Sequence, residues 1–281
     1  VTTRPPAETA HRPPDTPGDG NAPGAPGPGG TPPHPRASSA ELAGVSAVVL
    51  GAAGGIGSAC AVRLAACGAQ VVAVDRDTAV RDLPGVAAVV GDATDPSLLA
   101  RAYDTCAARP AVLVHALLAE ARAPLSELAP QQWREVLDLG LVSAWQWGAE
   151  LVRRCAGPAS IVLIGSVHAH GAAPGMAPYA VAKAGLTALA RAAATEWGPA
   201  GVRCNVLEPG FVAVDRNAHR WRDPAERRRV LAAYPLGRLC VPEEIAEVAA
   251  FLAGPRSSYV NGVAVPVDGG ALAVLPETNI P

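Results

Sequence analysis

The chain has 281 residues, 49% of them apolar, and a formal net charge of −2. That length suits one large domain with a sizeable core, and the near-balanced charge points to neither nucleic acid nor an anionic membrane as partner. Cysteines 60, 67, 106, 155, 204 and 240 form no CxxC and no cluster with histidine, so buried thiols in a reducing compartment are expected, and no metal site.

Residues 1–36 hold 11 of the 28 prolines and six glycines, with no Leu, Ile, Met, Phe, Trp or Tyr. Such a segment buries too little apolar surface to offset its ordering entropy, so a disordered tail is expected there and a folded domain over 37–281. The segment has neither the apolar stretch of a secretory signal nor the pattern of a transit peptide, which favours a cytoplasmic location.

Beyond it, short β-branched runs alternate with helical periodicity. Strands are expected at 46–51, 71–74, 86–90, 111–114, 160–164, 202–207 and 263–267, and helices at 56–67, 95–108, 131–155, 178–197 and 242–253. Continuous apolar strands separated by helices imply a parallel α/β sheet covered on both faces. The first strand runs into a stretch without charge, Val45 to Val62, long enough to suggest a membrane span. Four glycines within seven positions and the following Arg63 fit a tight turn between buried elements instead.

That turn, LGAAGGIGSA, sets Gly51, Gly55, Ile56 and Gly57 between strand and helix. Bare backbone there can approach a pyrophosphate seated on helix N–H groups. Its spacing is GxxxGxG rather than GxGxxG. The second strand ends at Asp75, 18 residues beyond Gly57, where a carboxylate can bind a ribose diol and repel a 2′-phosphate, favouring NAD. Arg76 beside it keeps NADP open. Asp92, ending the third strand, could reach an adenine or serve only as a turn or cap carboxylate.

Ser166 follows the strand 160–164 at the sheet's carboxyl edge, where ligands bind. The sequence around it, GSVHAHG, is not the GxSxG of a serine hydrolase. His168 and His170 could reach a substrate or be ordinary loop residues. Thirteen residues beyond Ser166 comes YAVAK, with Tyr179 and the chain's one lysine, Lys183, among 23 Lys and Arg. Residues four apart share a helical face. An ammonium beside a phenol lowers its pKa from near 10 toward the working range, and lysine's compact charge suits a phenol and a ribose hydroxyl better than arginine's fork. Between PG (209–210) and PLGR (235–238) lies an arginine-rich segment. It could draw an anionic substrate or form a solvated helix over 224–233. Pro266 places the last strand at a sheet edge.

The glycine turn, Asp75, Ser166, Tyr179 and Lys183 join EPGFV (208–212), PLGRLCVPEEIAEVAAFL (235–252) and VDGG (267–270). In this combination the chain resembles the short-chain dehydrogenase/reductase family over about residues 42–270. The resemblance implies a single Rossmann-type doubly wound parallel sheet of about seven strands, with helices on both faces. It implies hydride transfer between NAD (NADP possible) and a small-molecule alcohol/carbonyl substrate. Tyr179 would exchange the hydroxyl proton, Ser166 would bond the substrate oxygen, and Lys183 would tune the tyrosine and hold the nicotinamide ribose. Pro209, Gly210 and Val212 would line the nicotinamide pocket, and Asp92 and Ala93 would flank the adenine. A homotetramer or homodimer is implied as well.

Three places depart from the family. Its Asn-Asn-Ala-Gly reads His115-Ala116-Leu117-Leu118 here, its helix asparagine falls at Gly140, and a threonine after PGxV is Val214. These departures keep an alternative alive, a nucleotide- or partner-binding relative without redox turnover. A non-redox lyase using the same phenol is a more distant one.

Overall fold

The computed structural model describes residues 41–275, which belong to one compact unit. The expectation for residues 1–36 lies outside the described residues. Seven strands appear in chain order: β1 (Val45–Leu50), β2 (Gln70–Asp75), β3 (Val86–Val90), β4 (Arg109–His115), β5 (Ala159–Ile164), β6 (Val202–Pro209) and β7 (Ala264–Val267). All pair in parallel, in the order β3-β2-β1-β4-β5-β6-β7. The apolar runs seen in the sequence thus become a doubly wound sheet, and β7, carrying Pro266, takes one edge. There Pro266 sits opposite Glu208 of β6, and its lost donor costs no central ladder bond.

The helices are α1 (Gly55–Ala66), α2 (Pro96–Asp104), α3 (Pro130–Leu137), α4 (Ser143–Arg154), α5 (Ala177–Trp197), α6 (Ala218–Arg222), α7 (Pro224–Leu231) and α8 (Pro242–Ala253). Side chains alternate across a strand, so each face of the sheet builds its own core. Val49, Val112 and Val162 join Leu64 of α1 and Ile245 of α8 on one face. Val48, Leu113 and Ile161 join Leu98 of α2, Trp147 of α4 and Leu186 of α5 on the other. Each fully buried Val or Leu contributes roughly 1.5–3 kcal/mol.

Two expected helices differ. The one expected over 95–108 ends at Asp104, and its side-chain cap is Asp95, which accepts from the Ser97 amide. The one expected over 131–155 is interrupted by a π turn at Asp138–Val142, centred on Gly140. Such single-turn bulges insert one residue into a helix. Here Ser143 Oγ donates to the Leu139 carbonyl at 2.7 Å. A Cβ on Gly140 would lie 3.3 Å from Ala182 Cβ, so the turn packs closely on α5 next to Lys183. No helix among the described residues is long and apolar enough to cross a membrane.

Candidate active site

The sheet order reverses at β1, with β2 on one side and β4 on the other. A crevice opens beyond the strand ends at such a switch point. It is a cleft of about 1920 Å³. Gly51, Gly55, Ile56, Gly57, Asp75, Asp92, Ala93, Ser166, Tyr179, Lys183, Pro209, Gly210 and Val212 all line it. The thirteen candidate catalytic and cofactor-binding residues therefore meet at one place.

The glycine turn is tight for reasons its geometry shows. Gly51 has φ +74°, and a Cβ there would come 2.6 Å from the Ala116 carbonyl oxygen. A Cβ on Gly57 would collide with the Gly51 carbonyl. The N-cap of α1, Gly54, supplies no side-chain hydrogen bond, which leaves first-turn N–H groups and the positive helix end available to an anion. Asp75 braces the turn: Ala53 N–H donates to its Oδ2 and Asp77 N–H to its Oδ1, each at 2.9 Å. Each oxygen keeps a second lone pair for a ribose hydroxyl. Bare backbone, uncapped helix and anchored carboxylate together fit a dinucleotide. Asp92 is used locally, because Thr94 N–H and Oγ1–H both donate to its Oδ1, at 2.8 and 2.7 Å. Those bonds hold its pKa below the usual range.

Ser166 follows β5 and opens a 3-10 turn at Val167–Ala169. Tyr179 is the third and Lys183 the seventh residue of α5, one turn apart on the same side of the helix. Burial raises the Tyr179 pKa, and a hydrogen bond with Ser166 opposes that shift. This differs from the expected depression. Lys183 Nζ lies 5.7 Å from the ring centroid and donates to the Ile164 carbonyl at 2.6 Å and to the Leu117 carbonyl at 3.5 Å. Burial lowers the Lys183 pKa to about 8, because desolvation disfavours the charged form.

The two loop histidines part company. His168 lines the cleft and meets the Tyr179 ring edge-on, 5.4 Å between centroids, and burial lowers its pKa. His170 points below, donating through Nε2 to Glu208 Oε2 at 2.6 Å. Glu208 is fully buried and also accepts from Thr187 Oγ1 at 3.1 Å. Neither of these partners of Glu208 was visible in sequence, since 38 and 21 residues separate them.

The departures prove compatible with an open site. Leu117 and Leu118 line the cleft without filling it. His115 is fully buried, and its Nε2 lies 2.8 Å from Ser143 Oγ. Ser143 gives its single hydroxyl hydrogen to Leu139, so the ring must donate through Nε2. The His115–Ser143–Leu139 chain ties the end of β4 to the π turn. Burial lowers the His115 pKa to about 3, so this ring stays neutral. Val214 covers the glycine turn: its Cγ1 would lie 2.6 Å from a Cβ on Gly55. Among the described residues no group of three His, Cys, Asp or Glu could hold a metal ion.

Residues 51–271 match the family described as enoyl-(acyl carrier protein) reductase. The chain is similar to a cis-4-hydroxycyclohexanecarboxylate dehydrogenase from Sinomonas cyclohexanicum, 38% identical over 81% of this chain and 96% of that protein. It is likewise similar to galactitol 2-dehydrogenase (L-tagatose-forming) from Cereibacter sphaeroides, 34% identical over 82% of this chain and 96% of that one. A gluconate 5-dehydrogenase from Burkholderia cenocepacia, solved with NADP and tartrate, superposes with a TM-score of 0.75. It is 28% identical and covers 83% of this chain and 97% of its own. With this fold, this cleft and these relatives, the chain belongs to the short-chain dehydrogenase/reductase family and is an NAD(P)-dependent oxidoreductase that transfers hydride between a nicotinamide cofactor and an alcohol/ketone substrate.

Proposed function

We propose that Tyr179, Ser166 and Lys183 carry the proton side of this reaction. The observation that carries the reading is their convergence: a phenol hydrogen-bonded to Ser166, with a buried ammonium beneath its ring, on the wall of the cleft that the glycine turn opens. The nicotinamide, when bound, supplies or accepts the hydride. In the reducing direction Tyr179 donates its phenolic proton to the carbonyl oxygen as that oxygen gains charge. Ser166 Oγ–H bonds the same oxygen and fixes the carbonyl's orientation. Lys183 places its charge near the phenol, so that the phenolate left behind is stabilised. Its hydrogen bond to the Ile164 carbonyl holds the ammonium in position.

Gly51, Gly55, Ile56 and Gly57 cradle the pyrophosphate, Asp75 takes the adenosine ribose, and Asp92 and Ala93 border the adenine. Pro209, Gly210 and Val212 wall the nicotinamide. NAD is the preferred cofactor on this reading, because the doubly hydrogen-bonded Asp75 carboxylate stays in place to repel a 2′-phosphate. Arg76 at the same rim leaves NADP usable. The protein works as a homodimer or homotetramer. Supporting this, Val142 (38% exposed), Trp145 (52%) and Val181 (47%) turn apolar surface outward from the π turn, α4 and α5. Its compartment is the cytoplasm, in keeping with six cysteines that all remain free thiols.

The test pairs turnover with binding. Tyr179→Phe should reduce turnover of an alcohol panel by at least ~10²-fold while NADH still quenches or binds as in the wild type. Turnover retained within a few-fold would reject Tyr179 as the proton donor.

A further inference from the structure

Charged side chains crowd the cleft near Tyr179. Glu120, on the segment after β4, has a side chain only 18% exposed, and it receives Arg122 Nη2 at 3.1 Å and Arg216 Nη1 at 3.2 Å. Arg216 comes from the opposite bank, the short turn Asp215–Asn217 that precedes α6. Its charge and that of Glu120 both reach the Tyr179 phenol, with opposite signs. Two guanidinium groups share one carboxylate, so the cluster as a whole carries a net positive charge, while at the phenol itself Glu120 acts more strongly than Arg216.

Arg220 stands four residues beyond Arg216 and lines the same cleft. It is laid over the Phe211 ring, 5.3 Å from the centroid. Phe211 is fixed in turn, its N–H donating to Tyr234 Oη at 2.7 Å. The other acids on this bank are occupied: Asp215 pairs with Arg222 at 3.4 Å and Glu226 with Arg229 at 2.6 Å. Among the described residues Arg220 has no carboxylate within ion-pair distance, and Arg216 approaches Glu120 most closely through Nη1. A guanidinium fork held on an aromatic ring, with donors unspent, is shaped to receive a carboxylate.

We infer that Arg216 and Arg220 bind the carboxylate of a substrate whose hydroxyl or carbonyl reaches Tyr179, so that the cleft serves a hydroxy-acid/oxo-acid pair. This rests on the oxidoreductase reading of the same cleft. Glu120 holds Arg216 against the cleft wall at 3.2 Å, within reach of a ligand on the same bank. Met176, Phe211 and Val230 offer apolar wall beside it, which suits a carbon skeleton carrying its charge at one end.

The experiment measures binding rather than turnover. Wild-type protein saturated with NADH is titrated calorimetrically with cyclohexanecarboxylate and with cyclohexanecarboxamide, which differ mainly in charge; benzoate and benzamide provide a second pair. The carboxylates should bind about tenfold tighter than the amides or better, as charge-assisted hydrogen bonds require. Arg216→Gln with Arg220→Gln should erase that preference and leave NADH affinity as it was. Each single variant should lose part of it. Equal affinity of acid and amide, binding of neither, or a preference that survives the double change overturns the inference. If the wild type fails to bind NADH or NADPH, the oxidoreductase reading itself falls, and this inference with it.

Discussion

Lys183 concentrates the residue-scale physics of this site. As the chain's single lysine it was conspicuous in the sequence, and its i, i+4 relation to Tyr179 holds in α5. Its burial was not legible, because that depends on β5 and the segment after β4 closing around it. Its folded pKa of about 8 lies below the ordinary 10.5. Between those values the unfolded chain keeps a proton that the folded one has released, so folding stability rises with pH across that window. Relative to Lys183→Met, cofactor-free wild type should gain on the order of 3 kcal/mol from pH 8 to 10.5. Urea melts at several pH values read this directly. A stability difference that stays flat across the window would show that the ammonium is not desolvated. Turnover by Lys183→Met should fall ~10²-fold or more. Glu120 and Arg122 escaped the sequence reading, and Arg216 was visible only as one arginine of the basic segment between PG and PLGR, since residues 120 and 216 meet only when two loops face each other across the sheet edge.

Among the elements, strands were the most legible. Each is a short apolar run with no competing periodicity, and each fell within two residues of its expected span. The long helix before β5 misled, because a one-residue insertion barely disturbs an apolar stripe read over 25 positions. What inserts the residue is local chemistry at Gly140 and Ser143, and what anchors it is His115 from a distant strand. The glycine turn was recognised from its spacing, yet the reason for Gly55 emerges only in three dimensions, where Val214 occupies the space a Cβ would need. Gly55→Ala should therefore weaken NADH binding by about tenfold or more, since overpacking of this kind costs roughly 1–3 kcal/mol. Adding Val214→Ala to that chain should recover much of the loss, as a fluorescence titration would reveal. A double variant no better than the single would assign the defect to backbone strain instead.

For the whole molecule, the parallel sheet and its two cores followed from pattern alone, whereas the assembly depends on surfaces that pattern reads poorly. Trp145 is half exposed on α4, which is unusual for so large an apolar side chain unless something covers it. If a second copy does, Trp145→Glu should shift the protein to a smaller species in light scattering coupled to gel filtration, with circular dichroism unchanged. An unaltered mass would remove this face from the assembly. Glu208 has a consequence of another kind. Its solvent-free carboxylate grips His170, from the loop that bears Ser166, and Thr187, from the helix that bears Tyr179 and Lys183, and it directly precedes Pro209. Three strips of chain that approach from different directions are cross-braced under the floor on which the reaction takes place. Their mutual distances are thereby set in the resting molecule, and an arriving ligand finds the machinery already spaced.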